Sequence, residues 1–85
     1  MHLTTDEFLN RCKEEVIDYY KRIYDLYPKV TTVWYSKSLQ NHKGLFCATN
    51  INDKLYFEVT YNGDEEEMYF DVYDKKLNRV IKIEK

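Results

Sequence analysis

Two glutamates, Glu58 and Glu67, are the first candidates for chemistry, because paired carboxylates can act together as a general acid and a general base. They flank Asn62-Gly63, a dipeptide typical of a two-residue β-hairpin turn. In that hairpin Glu58 lies opposite Glu67 on one face of a sheet. A flat, exposed sheet face lacks the pocket that would separate their two pKa values, so this pair does not predict an enzyme.

Two cysteines and two histidines are the remaining candidates for nucleophilic or metal chemistry. Cys12 falls on the apolar side of a predicted helix and Cys47 falls inside a predicted strand, where small buried thiols are common. Neither cysteine is placed beside a histidine, and no two of these four residues have the spacing of a metal-ligand pair. We therefore expect no catalytic residue, no metal and no cofactor.

A polar, basic stretch from Ser36 to Gly44 is a candidate for binding an anionic ligand. We expect the longest loop of the chain here, and its ammonium, hydroxyl and amide groups could hold a phosphate or a nucleotide. The stretch lacks the glycine spacing that lets backbone N–H groups wrap a phosphate, so an ordinary hydrophilic loop is favoured. The ligand-binding alternative names Ser36, Lys37, Gln40, Asn41 and Lys43.

The exposed face of the hairpin is rich in tyrosine and carboxylate. Amphipathic aromatic residues are favoured in protein interfaces, and an acidic surface favours a basic partner. The alternative is a solvated face that neighbouring lysines neutralise. The predicted partner-binding residues are Tyr56, Glu58, Glu67, Tyr69, Asp71 and Tyr73.

The hairpin from Leu55 to Tyr73 is the strongest fold signal, because apolar and polar residues alternate on both sides of the turn dipeptide. A two-residue loop pairs Tyr61 with Asp64 and Phe57 with Met68. The residues expected to face the core are Leu55, Phe57, Val59, Met68, Phe70 and Val72.

An amphipathic helix precedes the sheet. Thr4 and Glu7 have the spacing of a capping box, and apolar residues recur every three or four positions from Phe8 to about Tyr27, before Pro28. Further strands are predicted at 29–35, at 45–49 and, at an edge, at 79–84. In the 45–49 strand the inward residues are either Phe46 and Ala48 or Leu45 and Cys47.

These elements predict a single α+β domain over residues 1–85. One N-terminal amphipathic helix packs on a four- to five-stranded antiparallel meander sheet. The 85 residues carry a net charge of −2 with a pI of about 5.6, which gives no general attraction to nucleic acid or to an anionic membrane. The absence of a signal-like or long apolar stretch predicts a cytosolic protein with free thiols.

Three segments, Trp34–Asn41, Thr60–Asp64 and Met68–Tyr73, carry a resemblance to a known family. Together with the positions Glu7, Phe8, Cys12, Lys13, Lys75 and Asn78, they resemble small uncharacterised proteins encoded by phages and prophages of Gram-positive bacteria. The resemblance implies no activity. It implies a setting, the cytoplasm of an infected host bacterium, where small acidic proteins without catalytic residues often act by occupying a host protein's surface.

The leading hypothesis is a non-enzymatic phage accessory protein. Through its acidic, tyrosine-rich sheet face it would bind a host protein with a basic surface, such as a defence component, and inhibit or redirect it. One alternative is a module that sequesters a nucleotide signal with the 36–43 loop, as an oligomer with a pocket between subunits. Another is a structural accessory that forms a homodimer through a sheet edge or its open face.

Overall fold

The structure, a computed structural model that describes residues 3–84, contains one helix followed by four antiparallel strands. Helix α1 spans Thr5–Tyr24, and strands β1 to β4 span Val30–Ser38, Asn41–Ala48, Leu55–Asn62 and Glu67–Asp74. The strands lie side by side in chain order. The α+β meander expected from the sequence is confirmed, with four strands. No helix within residues 3–84 is long and apolar enough to cross a membrane.

The predicted capping box begins the helix. The hydroxyl of Thr4 accepts a hydrogen bond from the Glu7 N–H at 3.2 Å, and the Glu7 carboxylate accepts one from the Thr4 N–H at 2.9 Å. These bonds favour the charged carboxylate and lower the pKa of Glu7. The helix ends at Tyr24, earlier than the apolar pattern predicted, because Asp25 adopts the left-handed conformation at φ 53°.

The core lies between α1 and one side of the sheet. The helix packs against β1, β2 and β3. Within residues 3–84, His42 is the only polar or charged residue that is buried. In β2 the buried Phe46 and the partly buried Ala48 face the helix, which decides the question that the sequence left open. The buried apolar residues are Phe8, Cys12, Val16, Tyr20, Phe46, Phe57, Val59 and Tyr61.

The predicted register of the β3–β4 hairpin is wrong. Phe57 pairs with Val72 rather than with Met68, because the connection has the four residues 63–66 instead of two. The Asn62 side chain organises this turn by accepting hydrogen bonds from the N–H groups of Asp64 and Glu65. A shift by an even number of residues leaves each side chain on its predicted side of the sheet. Five of the six residues expected to face the core belong to it or pack against it, whereas Val72 is 37% exposed.

The loop predicted from Ser36 to Gly44 is also wrong. β1 and β2 form a hairpin in which Ser38 pairs with Asn41, and Leu39 and Gln40 alone connect the strands. Leu39 takes a positive φ of 56° in this turn. Polar residues therefore continue two strands here instead of forming a long loop.

The fifth strand predicted at residues 79–84 does not form. The segment after β4, residues 75–84, has no regular secondary structure and is exposed throughout. Its apolar side chains Leu77, Val80, Ile81 and Ile83 are each at least 65% exposed. We call residues 75–84 the tail.

Candidate functional site

The sheet has one side that the helix does not cover. Cross-strand partners share a side of a sheet, so the row Trp34, Leu45, Glu58 and Asp71 lies opposite the buried row that contains Phe46 and Phe57. We call this uncovered side the open face. Its side chains include those of Trp34, Ser36, Lys43, Leu45, Tyr56, Glu58, Thr60, Glu67, Tyr69, Asp71 and Tyr73.

All six predicted partner-binding residues lie on the open face, but the acidic pair differs from the prediction. Glu58 lies opposite Asp71, and Glu67 lies opposite Asn62. Lys43 places its ammonium Nζ 3.7 Å from the carboxylate of Glu58. One lysine therefore offsets part of the charge of the Glu58–Asp71 pair, as the solvated-face interpretation expected.

Two tyrosines stand among these carboxylates, each about half exposed. The Tyr69 hydroxyl donates a hydrogen bond to Glu67 at 2.5 Å, and this bond raises the pKa of Tyr69. The charge of Glu58, followed by that of Asp71, raises the pKa of Tyr73. Both phenols therefore stay protonated, as hydrogen-bond donors, beyond the usual pH range of tyrosine.

The third predicted tyrosine is less available. Tyr56 is only partly exposed, and the ammonium of Lys75 lies 5.9 Å from its ring centroid, a cation–π contact. Trp34 on β1 takes its place as an exposed aromatic residue of the open face, at 40% exposure. Sequence reasoning missed Trp34, because its membership of this face depends on a bulge at Val33 that shifts the β1–β2 register.

The five residues of the ligand-binding alternative do not form a common site. Ser36 pairs with Lys43 on the open face, whereas Lys37 pairs with His42 on the helix side. The Gln40 side chain donates a hydrogen bond to Asp64.

Asn41 is also engaged in structure, because its side-chain oxygen accepts a hydrogen bond from the N–H of Gly63 at 2.9 Å. The two amide side chains thus join the β1–β2 turn to the β3–β4 turn. The ammonium groups of Lys37 and Lys43 lie on different sides of the sheet, so they cannot converge on one phosphate.

His42 was assigned to a loop in the sequence, and in the structure it is buried beneath the helix. Its Nε2 lies 2.9 Å from the carbonyl oxygen of Leu3 and its Nδ1 lies 2.5 Å from the hydroxyl of Tyr35. Its ring stacks on Phe8 with 5.0 Å between centroids. The period-two pattern His42, Gly44, Phe46 was a signal that could have predicted this burial.

Neither cysteine is activated. Burial raises the pKa of Cys12 to about 12, and burial also raises the pKa of the partly exposed Cys47. Within residues 3–84, no three His, Cys, Asp or Glu side chains are grouped so that they could hold a metal ion. His2, one of the histidines considered for metal binding, lies outside the described residues.

Comparison with known proteins yields a family without an assigned activity. The model of a family of unknown function, DUF6275, matches residues 9–83. No curated protein and no solved structure matches the chain.

Proposed function

The chain belongs to the DUF6275 family of unknown function, and we propose that it is a non-enzymatic protein whose open face binds a basic surface on another protein. One observation carries this proposal. An entire side of the sheet is left uncovered by the helix, and it combines exposed aromatic side chains with carboxylates.

The aromatic residues supply the contact area. Trp34 lies on β1, whereas Tyr69 and Tyr73 lie on β4, so they stand on the two outer strands of the sheet. Trp and Tyr are the residues most enriched among those that dominate binding energy at interfaces, because each buries a large apolar area and keeps a polar group. A partner that spans the sheet would contact all three.

The carboxylates supply the preference for a basic partner. Glu58, Glu67 and Asp71 lie on the open face, where Lys43 offsets one of them. The adjoining β3–β4 turn adds Asp64 and Glu65. A surface with this sign of charge accelerates encounter with a basic surface and disfavours acidic partners.

The nature of the partner is inferred from the resemblance to phage and prophage proteins of Gram-positive bacteria. A host protein in the bacterial cytoplasm, such as a component of a defence system, would present the basic surface. By covering that surface the protein would inhibit or redirect its partner. The arrangement gives no support to the nucleotide alternative, because its five residues are divided between the two sides of the sheet and the hairpin turn.

The test is capture of a partner from a Gram-positive lysate with tagged full-length protein, followed by affinity measurement on the purified pair. Asp71→Lys and Tyr69→Ser change two exposed side chains of the open face. Each should weaken binding at least about tenfold if these residues are central to the interface. Added salt should weaken the wild-type complex by slowing association.

Matched controls lie on other surfaces. Glu14→Lys makes the same change in charge on the exposed side of α1, and Tyr27→Ser removes a tyrosine that is 67% exposed beyond the helix. Both controls should bind like the wild type. A partner that binds all four variants equally would show that the open face is not the binding surface.

A further inference from the structure

The tail and the outer edge of β4 have complementary features, and among residues 3–84 no strand pairs with either of them. The tail is exposed and contains three β-branched residues among its last five described positions, Val80, Ile81 and Ile83. Strand β4 is the last strand of the sheet, and no other described strand pairs with its outer edge. Exposed edges of this kind accept an added strand.

The pattern of the tail matches both sides of β4. In an extended conformation Ile81 and Ile83 point to one side and Lys82 points to the other. Val72 and Phe70 of β4 face the helix side, where the helix backbone lies over β1 to β3 rather than over β4. Ile81 and Ile83 would lie beside Phe70 and Val72 and enlarge the apolar surface there, and Lys82 would lie on the open face.

Charge favours the same pairing. The segment 79–84 has two basic residues, Arg79 and Lys82, and one acidic residue, Glu84, whereas β4 has the acidic residues Glu67, Asp71 and Asp74 and no basic ones. Two β4 edges would bring carboxylates together, which is unfavourable. The tail is therefore a better partner for this edge than a second β4 strand.

The other free edge is a poorer template. Strand β1 contains a bulge between Thr32 and Trp34, and a bulge interrupts the regular row of N–H and C=O groups that an added strand needs. The β3–β4 ladder shows no such shift over its eight pairs. The regular, acidic edge is that of β4.

The tail leaves β4 toward β3 and β2 of its own sheet, which is the side away from the outer edge of β4. The Lys75 N–H donates to the Lys54 carbonyl at 2.8 Å, so the chain continues along β3 after β4 ends. Residues 75–78 then line a cavity of about 260 Å³ with Cys47 and Ala48 of β2. From β2 to the position of an added strand beside β4 is three strand spacings, roughly 14 Å, and about four of the six residues 79–84 would be needed to span it, so these six cannot themselves form a strand on that edge of their own sheet.

We propose that residues 79–84 of one copy pair as a fifth strand with the outer edge of β4 of a second copy, in a reciprocal homodimer. Ile81 and Ile83 cover the helix side of the partner's β4. Lys82 lies on its acidic open face. The proposal does not rest on the host-protein partner, because its determinants are the tail and the outer edge of β4 in two copies of this chain.

The experiment is a dilution series of the full-length protein by native mass spectrometry and sedimentation. The wild type should change from dimer to monomer on dilution. Ile81→Asn should weaken dimerisation about tenfold or more, since it removes a buried side chain from the new strand. Val80→Asn changes a similarly exposed neighbour on the opposite side of the strand, and it should weaken dimerisation by less than about threefold.

Hydrogen–deuterium exchange at high and low concentration then locates the contact. Amides of β4 and of residues 79–84 should gain protection in the dimer, and those of β1 should not. A protein that stays monomeric, equal effects of the two substitutions, protection at β1, or a tail protected within the monomer would each overturn the proposal.

Discussion

The Tyr35 hydroxyl and Nδ1 of the buried His42 are joined by a hydrogen bond of 2.5 Å. The other ring nitrogen, Nε2, donates to the Leu3 carbonyl, because a carbonyl can only accept. The Thr5 hydroxyl lies 3.0 Å from Tyr35 and can donate to it. This chain of bonds ties the start of the helix to the β1–β2 hairpin.

Replacing His42 with Phe should destabilise the fold by about 1–3 kcal/mol, because the Tyr35 hydroxyl and the Leu3 carbonyl lose their partner while the ring stacked on Phe8 is kept. Denaturant unfolding measures the change. The double variant His42→Phe with Tyr35→Phe should lose less than the sum of the two single losses, since it removes both ends of one bond. Strictly additive losses would contradict the coupling.

Alternation predicted which residues of the hairpin face the core, but it could not predict which residues pair. Side chains alternate with a period of two, so the pairings Phe57–Met68 and Phe57–Val72 bury the same set. The choice depends on the turn, where the Asn62 side chain holds a four-residue connection. Asn-Gly favours a two-residue turn only as a local preference, and contact with the neighbouring hairpin overrides it here.

The observed register gives Asp71→Lys and Glu67→Lys different effects on stability. Lysine at position 71 would lie opposite Glu58 and form a favourable cross-strand pair, so we expect a gain of about 0.2–1 kcal/mol in the free energy of unfolding. Lysine at position 67 would lie opposite Asn62 and lose the bond from Tyr69, so it should give no gain. Unfolding curves of the two variants decide between the observed and the predicted register. If Glu58 paired with Glu67, lysine at position 67 would give the gain in stability instead, and the order of the two variants would be reversed.

The open face was predictable in part, because Tyr56, Tyr69 and Tyr73 alternate with the core residues. Trp34 was not, because its side depends on the bulge at Val33. Polar composition predicted a loop around His42. Residue type alone does not distinguish a buried histidine, whose two ring nitrogens are both hydrogen-bonded, from an exposed one. The apolar tail residues predicted a fifth strand that does not form, because residue type gives the preference for a strand but not the position of a free sheet edge.

Gly63 is required for space rather than for a positive φ. Its φ is not positive, and a Cβ on Gly63 would lie 2.4 Å from the carbonyl oxygen of Gln40. Gly63→Ala should therefore separate the two hairpin turns and destabilise the fold by about 1–3 kcal/mol. Thermal or denaturant unfolding measures this loss. Glu65→Ala in the same turn serves as the control, because its exposed side chain should be worth less than about 0.5 kcal/mol.

Stability should fall at alkaline pH because of Cys12. Burial, with a smaller effect from the charge of Glu15, raises the pKa of Cys12 to about 12 from an ordinary value of 9.0. Below pH 9 the thiol is protonated in both the folded and the unfolded chain, so its contribution is fully present. Between pH 9 and about 12 the unfolded chain loses the proton and the folded chain keeps it, which favours unfolding.

The decline attributable to this thiol should approach about 1.4 kcal/mol per pH unit above pH 9 in wild-type protein. Guanidinium unfolding at a series of pH values measures it. Cys12→Ala will be less stable at neutral pH because it leaves a cavity, so the slope with pH is the quantity to compare. Tyr20→Phe is the comparison, because burial also raises the pKa of Tyr20, but from an ordinary value of 10.0 instead of 9.0. The loss of stability with pH should therefore be shallower in Cys12→Ala than in Tyr20→Phe. Equal slopes in wild type and Cys12→Ala would show that this thiol does not titrate with unfolding.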